Sequence, residues 1–188
     1  LADVNVLEEG LLKNEKYRSL SIFGKDLDKK EEHFGDVYST LYKGSFAQLA
    51  QAHRHRTLDY QMEMLNEKEY FVPPIIVDDQ MLIDEWLGDM QIVRGVNPQG
   101  ELVKISEVGK YEDFILKCKE RLCSAAQLEI MLQTKETLLK YKKALEESKS
   151  PLAQDIEKYS HGARCTFPDF NCSSDCKFSE GKTLVRKI

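Results

Sequence analysis

Between Gly44 and Thr57 runs Gly-Ser-Phe-Ala-Gln-Leu-Ala-Gln-Ala-His-Arg-His-Arg-Thr, a small-residue helical stretch that ends in four consecutive basic or imidazole side chains. His53, Arg54, His55 and Arg56 put two permanent charges and two titratable rings into four positions, and the fold has to relieve their repulsion. Two arrangements do so. The cluster can close a helix C-terminus, where cations complement the macrodipole, or it can hold an anionic or electron-rich ligand. The density of charge favours the ligand. After Thr57, Leu58, Tyr60, Met62 and Met64 alternate with Asp59, Gln61, Glu63 and Leu65, a period near two that predicts a half-buried strand. The cluster therefore lies at a helix-to-strand junction. If the backbone is already extended there, Arg54 and Arg56 project to one side and His55 to the other, so both guanidiniums converge on one ligand.

Around this junction the patterns are weaker. Leu20–Phe23 predicts a strand, and the charge run Lys25–Glu32 a solvated face. From Asp36, Val37, Leu41, Tyr42, Phe46, Leu49 and Ala50 recur near helical spacing; Gly44 interrupts them, marking either a kink or a close approach. Tyr70–Val77 is apolar and extended, but Pro73 and Pro74 confine it to an edge or a connection. Leu82, Trp86, Met90 and Val93 share a helical face over residues 80–94 and predict core packing. Asn97-Pro98-Gln99-Gly100 signals a turn, and Glu101–Ile105 a short strand. Residues 110–148 contain no Gly or Pro and predict a long helix whose length leaves room for one break, ended before Pro151. Its first half, with Phe114, Ile115, Cys118, Leu122, Ala125 and Ala126, predicts a buried face. Within it Arg121, Ala125 and Glu129 at i, i+4 and i+8 would share a face with room for a ligand between the two charges.

With 188 residues, 41% hydrophobic and 31% charged, the chain has material for one core and not comfortably for two. A net charge of −5 argues against a polynucleotide partner, which calls for a clustered basic surface. A nucleotide fits better. No run of eighteen apolar residues occurs, and Asp3 and Glu8 charge the N-terminal stretch early, so neither a membrane span nor a signal peptide is expected and the expected location is cytoplasmic. No Ser-His-Asp arrangement, Walker loop or Gly-x-Gly-x-x-Gly is present.

Three segments carry a family resemblance. Gln51-Ala-His-Arg54-His55-Arg56 resembles the Gln-x-x-Arg-His-Arg core of the flavin-dependent thymidylate synthases. Arg121-Leu-Cys-Ser-Ala-Ala126-Gln127-Leu-Glu129-Ile130 resembles that family's Arg-x-x-x-x-Ala-Gln-x-Glu-Ile helix, and Ala163-Arg164-Cys-Thr-Phe-Pro168 its Ala-Arg-x-x-Leu-Pro segment. The resemblance implies an α+β fold, a mixed β-sheet flanked by helices, assembled as a homotetramer. It implies FAD held by Gln51, Arg54, His55, Arg56 and Gln127, with Arg121 and Arg164 on the nucleotide and folate as carbon donor. The family's core motif continues with Ser, Asn, Ser and Arg, where this chain has Asp59, Gln61, Met64 and Asn66. The flavin half of the motif is kept and the nucleotide half is replaced, leaving Asp59 and Gln61 to read the substrate.

The tail from residue 160 is a separate Cys-rich unit packed on a domain of residues 1–159. His161, Cys165, Cys172 and Cys176 are spaced within the range of structural zinc sites, which makes zinc a second candidate cofactor. The alternative is that these cysteines, with Cys118 and Cys123, are ordinary thiols in a reducing compartment.

Overall fold

The computed structural model describes residues 3–6, 37–168, 170, 172, 184 and 185. The expected strand Leu20–Phe23, the charge run Lys25–Glu32 and Cys176 lie outside them. Four strands, β1 (Asp3–Val6), β2 (Val37–Ser45), β3 (Asp59–Met64) and β4 (Leu102–Lys110), form one sheet in the order β1-β2-β4-β3. Every described pairing is antiparallel, so the fold is α+β as expected but the sheet is not mixed. The helices are α1 (Phe46–Ala52), α2 (Gln80–Ile92), α3 (Tyr111–Arg121), α4 (Leu128–Glu147) and α5 (Leu152–Ile156). Among the described residues no helix is long and apolar enough to cross a membrane.

Residues 37–45 correct the helical expectation. Val37, Leu41 and Tyr42 satisfy helical spacing, yet Tyr38, Thr40 and Tyr42 are buried while Leu41 and Lys43 are exposed, a period of two. β-Branched and aromatic side chains favour the pleated surface, and nine residues pair along the whole of β4. The helix begins only at Phe46, where Ser45 Oγ accepts from Gln48 N as an N-cap. Gly44 is a close approach: a Cβ there would lie 2.5 Å from Gln48 Oε1. Gly109 is another, since its Cβ would overlap Leu58 Cδ2. β4 accordingly runs on to Lys110 and is longer than the five residues expected.

The long helix is two helices. α3 ends at Arg121, and residues 122–127 turn before α4 starts at Leu128. Arg121, Ala125 and Glu129 therefore share no helix face, and Ala125 is exposed rather than buried. The main core lies between the sheet and α3, α4 and α5, with Tyr38, Phe114, Cys118, Leu122, Ile130, Leu138, Tyr141 and Ile156 in contact. A smaller cluster of Tyr42, Leu49, Val103 and Ile105 lies under α1. α2 does not join either. None of its residues is buried, so among the described residues Leu82, Trp86, Met90 and Val93 form no core, and Met81, Ile92 and Val96 are more than 70% exposed.

Candidate functional site

α1 ends at Ala52, and the chain then winds through two turns: His53 N donates to Leu49 O, Arg54 N to Gln51 O, His55 N to Ala52 O and Leu58 N to His55 O. This winding, rather than an extended strand, separates the basic cluster. Arg54 and Arg56 face solvent, and His55 is 6% exposed. His53 is exposed, with its ring 5.4 Å from that of Tyr60.

Three separated segments meet here. Arg121, at the end of α3, donates from Nε to His55 Nε2 at 2.8 Å and from Nη2 to Gln51 O at 3.4 Å. Burial, then the positive charges of Arg121 and Lys117, push the His55 pKa down to about 3. The ring is neutral at pH 7, and because Nε2 accepts, its proton is on Nδ1. The third segment arrives through Arg164, whose backbone N–H donates to Leu122 O at 2.9 Å and whose Nη1 donates to Lys119 O at 3.4 Å. Its guanidinium lies over the Phe170 ring, 4.8 Å from the centroid.

Glu129 ties the start of α1 to the start of α4. Its carboxylate accepts from Ser45 N at 2.7 Å and from Ser45 Oγ, at the start of α1 and in the first turn of α4. Two helix N-termini favour negative charge. Burial nevertheless raises the carboxyl pKa, opposed by the Ser45 hydrogen bonds.

Polar capacity is left over around this convergence. Gln127 Oε1, Arg164 Nε and Tyr60 Oη are buried and have no hydrogen-bond partner among the described residues. Buried orphans of this kind carry a desolvation cost that a ligand would remove. Asp59 and Gln61 sit on edge strand β3, paired in register with Val108 and Ser106 and flanking the inward-packed Tyr60. Gln61 is exposed. Of the tail residues, His161 Nε2 lies 3.1 Å from Glu157 and is largely exposed, while Cys165 and Cys172 are half-buried thiols. Among the described residues no three His, Cys, Asp or Glu side chains come together as a metal site.

Sequence reasoning missed the buried polar network beside the site. Lys117 Nζ donates to Glu107 Oε2 at 2.6 Å, both side chains fully buried. Tyr38 Oη and Tyr42 Oη donate to the same carboxylate, and Lys117 also donates to Gln133 Oε1 at 3.1 Å. The signal was available. Val103, Ile105 and Glu107 alternate inward along β4, and Lys117 stands between Phe114 and Cys118 on the apolar stripe of α3. Opposite charges on two inward faces predict each other.

The arrangement holds two guanidiniums in place, Arg121 by His55 and Gln51 and Arg164 by Lys119 and Phe170, and leaves Arg54 and Arg56 facing solvent beside them. A comparison with models of protein families finds no match, and a comparison with characterised proteins finds none either.

Proposed function

We propose that the chain binds FAD and acts as a protein of the flavin-dependent thymidylate synthase type, methylating a deoxyuridine nucleotide or related pyrimidine with folate as carbon donor. What supports this reading is the convergence of the three resembling segments, 66 positions apart between His55 and Arg121. Arg54 and Arg56 would meet the electron-rich ring, with Gln51, His55 and Gln127 in the same shell, His55 acting by holding Arg121. Gln127 Oε1 lacks a donor and Arg164 Nε lacks an acceptor, and a flavin ring or a nucleotide offers both. When bound, the flavin supplies hydride transfer, so the chain's own groups need only bind, orient and neutralise charge.

In this reading the protein works in the cytoplasm as a homo-oligomer, a tetramer. The apolar exposure of Met81, Ile92 and Val96 on and beside α2 favours a covered surface there. A second reading, a non-catalytic scaffold or a flavoenzyme with another substrate, is favoured by Asp59, Gln61, Met64 and Asn66 in place of the nucleotide half of the motif.

The experiment is a calorimetric titration of the full-length protein with FAD, followed by flavin absorbance. Saturable binding is expected, and Arg54→Ala and Arg56→Ala should each weaken it by about 1–3 kcal/mol for charge-assisted bonds. No FAD binding by the intact protein overturns the proposal.

A further inference from the structure

A cavity of about 400 Å³ opens on the other side of the buried network, between Tyr42 and Lys43 of β2, Leu102 of β4, Phe71 in the connection, and Glu129, Leu132, Gln133, Lys135 and Glu136 on the first turns of α4. We propose that it binds a small planar aromatic acid, with the ring between Tyr42, Phe71, Leu102 and Leu132 and the anionic group at Lys135.

The walls are fixed before any ligand arrives. Phe71 N donates to Gly100 O at 2.8 Å and Phe71 O accepts from Trp86 Nε1 at 3.0 Å, which holds the backbone that carries the ring. Tyr42 Oη donates to Glu107, and Gln133 accepts from Lys117 and donates through Nε2 to Thr137 Oγ1 at 2.7 Å. A preformed, mainly apolar cleft of this size suits a small ring, because little side-chain freedom is lost on binding. Leu132 is 38% exposed, so covering it is favourable.

The charges decide the sign of the ligand. Lys43 is held by Glu69 at 2.7 Å, Glu129 by Ser45, and Glu136 lies 3.6 Å from Lys140. Lys135 is the one charged group lining the cavity for which no ion pair or hydrogen bond occurs among the described residues. It is half-buried, and Gln133 Nε2 keeps a second N–H beyond the one given to Thr137. An ammonium and an amide N–H both donate to a carboxylate, while the two lining carboxylates, Glu129 and Glu136, are already engaged by Ser45 and Lys140.

The test titrates the full-length chain by calorimetry with 1-naphthoate and with uncharged 1-naphthalenemethanol. Naphthoate should bind saturably and about tenfold tighter than the alcohol, the worth of one charge-assisted bond; Lys135→Met should remove that difference, and Leu132→Gln, which removes an apolar wall without adding charge, should weaken both. Arg54→Ala and excess FAD should leave naphthoate binding unchanged, which separates this site from the flavin reading. Absent saturation at millimolar naphthoate, equal affinity for acid and alcohol, no effect of Lys135→Met, or displacement by FAD each overturns the proposal.

Discussion

Arg121 Nε donates to His55 Nε2 at 2.8 Å, so the one buried ring of the basic cluster is an acceptor for a guanidinium rather than a further cation. The geometry requires a neutral ring, and burial together with Arg121 and Lys117 lowers its pKa from 6.5 to about 3. A base whose folded pKa lies below its unfolded value contributes stability that is complete above the unfolded value and lost as pH falls toward the folded one. Acidification from about pH 6.5 toward 3 should therefore destabilise the protein through His55. The stability gap between wild type and His55→Gln, followed by thermal unfolding, should narrow over that range. A constant gap would show that His55 does not titrate against folding.

Lys117 and Glu107 predict a second effect. Removing one member of a fully buried pair leaves the other charge without compensation, at a cost of about 3–5 kcal/mol. Lys117→Met and Glu107→Gln should each lose that much in denaturant unfolding. The double variant should lose clearly less than the sum, because neither charge is then stranded.

These two relationships show what the sequence made legible. The basic cluster, the strand after it and the three separated segments could be read from residue type and spacing, since each is local, but the half-buried face expected of that strand is not there, because Met62 and Met64 on the edge of the sheet are exposed. Their meeting could not, because Arg121 finds His55 only after α3 has run back along the sheet. Residues 37–45 were misread because Val37, Leu41 and Tyr42 fit helical spacing, whereas the buried face is Tyr38, Thr40 and Tyr42, and pairing with β4 sets it. The break at residues 122–127 carries no Gly or Pro, so nothing local announced it. Trp86 and Leu82 promised a core that this chain does not close around α2. Glu107 and Lys117 were the reverse case, two opposite charges on two inward faces that neither segment reveals alone.

Glu129 should behave as a structural clasp. It accepts from both Ser45 N and Ser45 Oγ, so Glu129→Ala strands two buried donors and should cost about 2–6 kcal/mol, at 1–3 kcal/mol for each unsatisfied group. Glu129→Gln keeps an oxygen for Ser45 N and should lose less. Because burial raises the carboxyl pKa above its unfolded value, the wild-type cost of ionising Glu129 falls as pH drops, so Glu129→Gln should be relatively less harmful at neutral pH than at pH 4. Denaturant midpoints at the two pH values check both statements, and equal losses for Ala and Gln would remove the clasp.

Under the proposed function, the replaced half of the motif predicts how the site would treat a nucleotide. Asp59 begins β3 directly after the turn that carries Arg54 and Arg56, where the resembling family has a serine. A carboxylate in that position repels a phosphate dianion and offers it no donor, whereas a hydroxyl donates one hydrogen bond. Deoxyuridine monophosphate should therefore bind this chain poorly, with deoxyuridine itself binding no worse than the phosphate. Asp59→Ser should restore a preference for the phosphate by roughly tenfold, the scale of one charge-assisted hydrogen bond. Calorimetry with both ligands at physiological salt distinguishes the outcomes. Micromolar binding of the monophosphate by the unaltered chain would mean that Arg121 and Arg164 suffice to hold the phosphate, and that Asp59 lies away from it.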